Sequence, residues 1–182
     1  MKQKIIYLLM ITSALWNALY AQPAIQAQKA IGGTDYDEMR SVYFTKDGGY
    51  IAGGLSYSNK SYQKSQNIRG GQDYWVVKVD SAGKIQWDKT IGGNSDDNLK
   101  AVIQTLDGGY ALVGESLSNI SVEKSENSWG GSDWWLVKLD SSGSIQWDKT
   151  IGGSGTEYID YIKQTDDGGF VLAGSTRSLL RR

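Results

Sequence analysis

The sequence predicts an all-β protein built from repeated, four-stranded antiparallel units. The tripeptide Ile-Gly-Gly occurs at 31–33, 91–93 and 151–153, so it recurs every 60 residues. Each repeat also contains four short runs rich in β-branched and aromatic residues, which favour strands. Glycine-containing turn sequences separate these runs. No window beyond the first 21 residues shows a sustained helical period, so we expect little helix.

The strands and turns of one unit can be placed from this pattern. In the first unit the four predicted strands are 41–45, 50–55, 74–79 and 85–91. The Asp-Gly-Gly sequence at 47–49 is expected to supply the positive-φ residues of a tight hairpin. The sequences at 80–83 and 140–143 predict longer hairpin turns, each closed by a glycine in the left-handed region.

Four antiparallel strands per repeat are typical of a β-propeller blade. Tryptophans recur at matching places, with Trp75 and Trp135 on the third strand and Trp87 and Trp147 on the fourth. Packing between units is the favoured role for these side chains, ahead of stacking on a ligand. The sequence therefore predicts propeller-blade repeats.

The first 21 residues have the features of a secretory signal peptide. Lys2 and Lys4 precede an apolar run at 5–16, and small residues lead to a predicted cleavage after Ala21. A membrane anchor is the alternative, but the run is shorter than the roughly 20 apolar residues that a span needs. We expect a secreted or cell-surface protein, with no stable membrane insertion once the signal is removed.

Composition excludes several classes of function. The chain has no histidine and no cysteine, which excludes a Ser-His-Asp triad, a thiol nucleophile and a zinc site of ordinary ligands. The formal net charge is −1, so nucleic acid is not an expected partner. Disulfides are absent, so a packed core must hold the fold.

Three segments resemble a known family. They are Trp-Asp-Lys-Thr-Ile-Gly-Gly at 87–93, Asp-Gly-Gly-Tyr at 107–110 and Gly-Gly-Ser-Asp-Trp-Trp-Leu-Val-Lys-Leu-Asp at 130–140. Together they resemble the approximately 60-residue β-propeller repeat, of the SBBP or delta type, of Bacteroidetes-like secreted and surface proteins. The resemblance covers Ile25 to about Ser178.

A weaker likeness adds to the propeller prediction. The sequence from Val79 to Trp87 is similar to the tryptophan-docking motif of quinoprotein propellers. This likeness lies in the packing motif and implies no quinone, so no cofactor is expected.

The period also divides the chain. The repeat region at 22–182 contains units 31–90 and 91–150, a truncated unit 151–182, and a lone fourth strand at 25–31. Two complete blades with partial units cannot close a ring by themselves, because propellers have about four to eight blades. Three explanations are open: a truncated copy of a longer protein, a ring completed by several chains, or an open stack whose blade edges self-associate.

Acidic residues follow the Ile-Gly-Gly segment in every unit. They are Asp35, Asp37 and Glu38, with counterparts Asp96, Asp97, Glu157 and Asp160. A catalytic pair should be special to one unit, so recurrence favours a structural role and no catalytic residue is predicted. Calcium binding is the alternative, but these loops lack the EF-hand spacing, and solvated loop carboxylates are the favoured interpretation, with no metal site predicted.

The long loops at 57–73 and 117–133 differ most between units, which favours a role in specificity. Trp129 stands where the first unit has Arg69, and with Tyr62 these are the predicted ligand contacts. The predicted function is a non-catalytic exported binding or scaffold module that contacts protein or glycan. The alternatives are a carboxylate-dependent glycan-active enzyme and a truncated gene fragment without function.

Overall fold

The protein is all-β in the part that the computed structural model describes, residues 28–178. No helix occurs in this range, which confirms the expectation of low helix content. No segment of it therefore meets the length and apolarity that a membrane-crossing helix requires. The strands are β1 Asp37–Phe44, β2 Tyr50–Ser56, β3 Asp73–Val79, β4 Ile85–Ile91, β5 Asp97–Gln104, β6 Tyr110–Ser116, β7 Asp133–Leu139, β8 Ile145–Ile151, β9 Glu157–Gln164 and β10 Phe170–Thr176.

The strands form three antiparallel sheets, and none of them is closed. The first sheet has the order β1-β2-β3-β4, the second has the order β5-β6-β7-β8, and the third pairs β9 with β10. The four-stranded antiparallel unit is confirmed for the first two sheets. All three belong to one compact unit, Ile31–Arg182.

The N-terminal predictions fall largely outside the described residues. The signal peptide at 1–21 and its cleavage after Ala21 lie there, and so do residues 25–27 of the lone fourth strand and the final residues 179–182. Residues 28–31 of that lone strand form no strand. None of the described strands pairs with this segment.

The first strand begins earlier than predicted. The sequence pattern placed it at 41–45, whereas β1 starts at Asp37, which pairs with Ser56 of β2. The pairing register shifts between Met39 and Ser41, so the strand carries a bulge at Arg40. The charged residues before Ser41 hid this part of the strand, because a bulge interrupts the alternation by which strands are recognised.

The hairpin turns follow the predicted chemistry with one correction. Gly48 has a φ of 82°, and Thr45 N donates to Gly49 O at 2.9 Å to close the first hairpin. The positive φ expected at Gly49 is wrong. That position is a glycine because a Cβ there would lie 2.1 Å from the carbonyl oxygen of Val79. Gly83 and Gly143 close the longer turns at φ values of 79° and 81°, as predicted.

The main core lies between the first and second sheets. Its centre is Trp135 of the second sheet against Tyr74 of the first, with ring centroids 5.0 Å apart. The hydroxyl of Tyr74 donates to the carbonyl oxygen of Trp135 at 3.0 Å, so a buried polar atom is paired inside the apolar interface. Further buried members are Ile51, Val76, Ile91, Leu99, Val102, Tyr110, Leu112, Val137 and Leu139.

A second core lies between the second and third sheets. It contains Ala111, Val113 and Leu136 from the second sheet and Ile159 and Ile162 from the third. These second-sheet residues belong to a separate cluster from Trp135 and Val137, and the alternation of side chains along a strand places the two clusters on opposite faces. The sheets therefore stack in one direction.

Three of the four recurring tryptophans, Trp87, Trp135 and Trp147, pack between neighbouring sheets, as predicted. Trp87 contacts the ring of Tyr110 edge-on at 5.6 Å, and Trp147 contacts Phe170 edge-on at 6.0 Å. Each contact joins the fourth strand of one sheet to the second strand of the next. Trp75 is buried with Val77 and Val79 on the other face of the first sheet.

A groove of about 470 Å³ runs between the first strands of the three sheets, β1, β5 and β9. Glutamines on its wall join neighbouring sheets: Gln104 Oε1 accepts from Lys46 N at 2.9 Å, and Gln164 Oε1 accepts from Leu106 N at 2.8 Å. The side-chain oxygens of these two glutamines are therefore already used by contacts within the fold.

Trp135→Ala should lower the free energy of unfolding by about 3–5 kcal/mol, because it removes the side chain at the centre of the main core. Trp129→Ala is the matched control, since this tryptophan is 65% exposed, and it should change stability by less than about 0.5 kcal/mol. Urea unfolding of the full chain measures both values. Equal losses in the two variants would contradict the assigned core.

Asp107→Asn should lower the free energy of unfolding at neutral pH. It should also make stability fall less steeply as the pH is lowered into the acid range. Thr105 and Lys138, which donate hydrogen bonds to Asp107, hold the pKa of that carboxyl well below its ordinary value of 3.8. A depressed folded-state pKa gives stability that is present above the ordinary pKa and lost as pH falls below it. Melting temperatures from about pH 2 to pH 7 should therefore fall less steeply on the acid side in the variant than in the wild type.

Candidate functional site: the two long loops

The second and third strands of each four-stranded sheet are joined by a long loop, at 57–72 and 117–132. We refer to the surface formed by these two segments as the loop face. Each loop begins with a tight turn: in the first, Ser61 N donates to Lys64 O at 3.1 Å and Lys64 N donates to Ser61 O at 2.8 Å. The same pair of bonds recurs between Ser121 and Lys124.

These turns hold their second residue in a left-handed conformation. Tyr62 has a φ of 46° and Val122 a φ of 45°, and no other non-glycine residue in the described range has a positive φ. Such a conformation costs about 1–2 kcal/mol for an L-residue and is rarest for β-branched side chains such as valine. Both side chains nevertheless project outward, with exposures of 81% and 71%.

A buried lysine anchors each turn to its sheet. Lys64 is 1% exposed, donates to Thr90 Oγ1, and places its ammonium 5.6 Å from the centre of the Trp75 ring. Burial lowers the pKa of Lys64 to about 8, against the opposing charges of Asp88, Asp73 and Asp37. Lys124 repeats the arrangement, with Thr150 and a distance of 5.5 Å to Trp135.

An aspartate on the fourth strand completes each anchor. Asp88 Oδ2 accepts from the indole nitrogen of Trp75 at 3.0 Å and from Ser65 N at 2.9 Å. Asp148 Oδ2 accepts in the same way from Trp135 and Ser125, at 2.8 Å and 3.0 Å. The loops are thus fixed to the sheets beneath them by buried polar contacts.

Arg69 joins one loop to the other. Its guanidinium donates from Nη2 at 2.8 Å and from Nε at 3.1 Å to Oε1 of Glu123. Both side chains are about one-fifth exposed, at 20% and 21%. Arg69 was predicted as a ligand contact, and the structure places it in a loop–loop ion pair, so its guanidinium is not free.

Trp129, at the matching position of the second loop, makes no such pair. Its backbone N donates to Asp133 Oδ2 at 2.5 Å, while its side chain is exposed. Ile120 of the same loop is also exposed. Of the three predicted contacts, Tyr62 and Trp129 therefore present free apolar surface, and they lie on different loops.

Of the acids after the Ile-Gly-Gly segments, Asp35 is exposed in its loop as expected, whereas Asp97 and Glu157 are not solvated. Asp97 and Glu157 are buried at the first positions of β5 and β9. Asp97 Oδ2 accepts from Gly93 N at 2.6 Å and from Ser118 Oγ at 2.9 Å, so it fastens the glycine segment to the following loop. For Asp97 and Glu157 the solvated interpretation is wrong, because the sequence concealed the early start of these strands.

Two further buried aspartates were missed in the sequence. Asp73 and Asp133 begin β3 and β7, and each accepts a hydrogen bond from the loop residue four positions earlier. Burial is the main cause that raises the pKa of each carboxyl to about 6. Both have a buried Oδ1 without a hydrogen-bond partner. Their recurrence at a 60-residue spacing directly before an aromatic pair was the available signal.

The loop face presents several exposed side chains. Within residues 28–178, no group of three or more acidic, histidine or cysteine side chains is placed to hold a metal ion. The loop acids described above accept hydrogen bonds from backbone amides, hydroxyls or indoles. The large apolar or aromatic side chains exposed on this face include Tyr62, Ile120, Val122 and Trp129.

The ion pair between Arg69 and Glu123 should contribute about 0.5–1 kcal/mol of coupling energy, because it is partly shielded from water. A double-mutant cycle with Arg69→Ala, Glu123→Ala and both together measures this term from urea unfolding. The exposed pair Lys149 and Glu126 supplies the control cycle and should give a smaller value. Additive losses at Arg69 and Glu123 would show that the two loops are not energetically joined.

The sequence has no match among known protein-family models, and no curated protein is significantly similar to it.

Proposed function

We propose that this chain is an exported, non-catalytic binding module that contacts a protein or glycan partner through the loop face. The observation that carries the proposal is the left-handed conformation of Tyr62 and Val122, whose side chains are nevertheless 81% and 71% exposed. Backbone strain concentrates at functional sites, where the surrounding structure over-determines it. An exposed apolar side chain at the tip of a turn does not stabilise the fold, so we infer that its role is to contact a partner.

The anchoring of the loops supports this role. Lys64 and Lys124 are buried beneath the tips, and the ion pair of Arg69 with Glu123 ties the two loops together. A surface held in place before binding loses less conformational entropy when a partner docks. Exposed aromatic groups, here Tyr62 and Trp129, are frequent at both protein and sugar contacts.

We further propose that the four-stranded sheets are propeller-type blades. The one-directional stacking of the sheets and the tryptophan contacts between neighbours support this architecture. Edge strands such as β4 and β10 have a hydrogen-bonded neighbour on one side only among the described strands, which makes them candidate edges for self-association.

Catalysis by carboxylates is the competing function. The binding proposal is favoured because the buried acids serve the fold in both junctions between sheets. Asp97 and Glu157 each accept from a glycine amide and from a hydroxyl of the following strand or loop. An enzyme would need an acid pair peculiar to one unit and free to reach a substrate.

A binding experiment tests the loop face directly. The full chain is screened on a glycan array and against a phage-displayed peptide library, and the affinity of each hit is then measured. Replacing Tyr62, Val122 and Trp129 together by serine should weaken binding by about tenfold or more, which corresponds to about 1.4 kcal/mol.

The control replaces Val42 and Phe44 by serine, since these exposed apolar residues lie on β1 and not on the loops. It should leave affinity unchanged. Absence of hits in both screens, or equal weakening by the two variants, would overturn the proposal.

A further inference from the structure

Two buried carboxyl groups meet at the junction between the second and third sheets. Asp133 is the first residue of β7, and Glu157 is the first residue of β9. Gly152 marks how close they come: a Cβ at this glycine would lie 2.0 Å from Asp133 Oδ1 and 2.7 Å from Glu157 Oε2. The two oxygens therefore occupy one small space beside the glycine.

The hydrogen bonds around this pair leave one acceptor oxygen without a donor. Asp133 is fully buried, and its Oδ1 has no hydrogen-bond partner. Glu157 Oε1 accepts from Thr176 Oγ1 at 2.8 Å and from Ser178, whereas Oε2 accepts only a long bond of 3.3 Å from Gly153 N. Two facing acceptors with no hydrogen between them would repel each other in a medium of low dielectric constant.

The other groups around the pair do not remove this repulsion. Lys124, from the second loop, is the cation whose charge acts on Asp133. Its own ammonium is shared with Asp97, Asp148 and Glu126. On the other side, Asp133 Oδ2 accepts from Trp129 N, and the hydroxyls beside Glu157 come from Thr176 and Ser178. The junction has more negative than positive side chains.

We propose that Asp133 and Glu157 share one proton, carried on Asp133 Oδ1 and donated to Glu157 Oε2, and that the junction loosens when rising pH removes it. A proton requires no cavity, which suits oxygens this close together. The transfer is a simple loss: Asp133 releases H⁺ to water, and both carboxyls become carboxylates.

The electrostatic environment agrees with this arrangement. Burial and then the contact with Glu157 raise the pKa of Asp133 to about 6, against the amide of Trp129 and the charge of Lys124. Because the folded-state pKa of this acid is raised, the native state holds a proton that the unfolded state has lost at pH values between the ordinary pKa of 3.8 and about 6. Stability from this pair is therefore present at low pH and lost as pH rises through that window.

The junction of the first and second sheets shows what is special about this pair. Asp73 and Asp97 occupy the equivalent positions, and Asp97 adds to the raised pKa of Asp73 through its charge. Aspartate is one methylene shorter than glutamate. Only the second junction combines the aspartate with a glutamate, whose longer side chain brings Oε2 beside Asp133 at Gly152; the atoms nearest a Cβ at Gly92, the equivalent glycine, all belong to Asp73.

The pair lies beneath one side of the loop face. Asp133 holds the backbone of Trp129, and the backbone of Glu157 donates to Ser132 O at 2.8 Å. A loosened junction would change the position of Trp129 relative to Tyr62 and Val122. This consequence for binding rests on the proposed function, whereas the shared proton itself does not.

Amide hydrogen exchange of the full chain, followed by NMR, tests the pair without a partner. The Gly131 amide also bridges this junction, since it donates to Gly155 O at 2.7 Å. Once exchange rates are corrected for intrinsic rates, protection of the Glu157 and Gly131 amides should fall by about tenfold between about pH 5 and pH 8. The Ser125 amide lies in the same loop as Trp129 but donates to Asp148 of β8, so its protection should not change in this way. Asp133→Asn should abolish the fall, since the asparagine amide supplies a permanent donor to Glu157.

Glu157→Gln gives an independent check, because a glutamine can donate to an ionised Asp133 and should also remove the pH dependence. Equal exchange at both pH values in the wild type would overturn the proposal. A loss of protection at about pH 8 on addition of chelator would also overturn it, since a cation would then occupy the place of the proton. Partner binding at the two pH values is measured separately, so failure of the binding function leaves the exchange result interpretable.

Discussion

The stacking of apolar sheet faces is the constraint on which the rest of the molecule depends. A four-stranded sheet with large side chains on both faces is not stable alone in water, so each sheet requires a neighbour. The contact of Tyr74 with Trp135 supplies the centre of one such interface, and it includes a hydrogen bond at 3.0 Å that fixes the lateral position of the sheets. With no disulfide available, these interfaces provide the main favourable free energy of folding.

The interfaces in turn determine where the buried charges can be placed. Lys124 lies over the face of Trp135, while Asp148 accepts from the edge of the same ring. The tryptophan therefore organises both a core and a loop anchor. Such buried ionic groups contribute little net stability in many proteins, and in some systems they specify one arrangement over its competitors. Here they fix the backbone of a long loop whose apolar side chains Ile120, Val122 and Trp129 are exposed.

Much of the fold could be predicted from the sequence because its period is strict. Strands such as β4 and the glycine turn at Gly83 follow directly from β-branched residues and turn chemistry. The early start of β1 could not be predicted, since the bulge at Arg40 breaks the alternation of side chains. The function of Gly49 depends on a close approach to Val79, which is 30 residues away in the sequence and leaves no local signal.

The candidate site was less predictable for a related reason. Exposure of Tyr62 and Trp129 follows from their loop positions, but the partner of Arg69 comes from another repeat, so no pattern within one loop reveals it. The buried state of Asp133 likewise depends on the sheet that packs beside it. Residues whose environment is set by a neighbouring unit are those for which sequence reasoning is weakest.

The order of contacts along the stack has a consequence for how the molecule unfolds. Among the described strands, the second sheet packs against both others, whereas no strand of the first sheet lies beside a strand of the third. Free energy is therefore distributed as in a linear array, in which each element depends only on its nearest neighbours. In such an array, unfolding of the first sheet is coupled to unfolding of the third only through the second sheet. The third sheet can unfold while the first two stay folded. The stack therefore has a preferred order of unfolding, which a single closed core would not have.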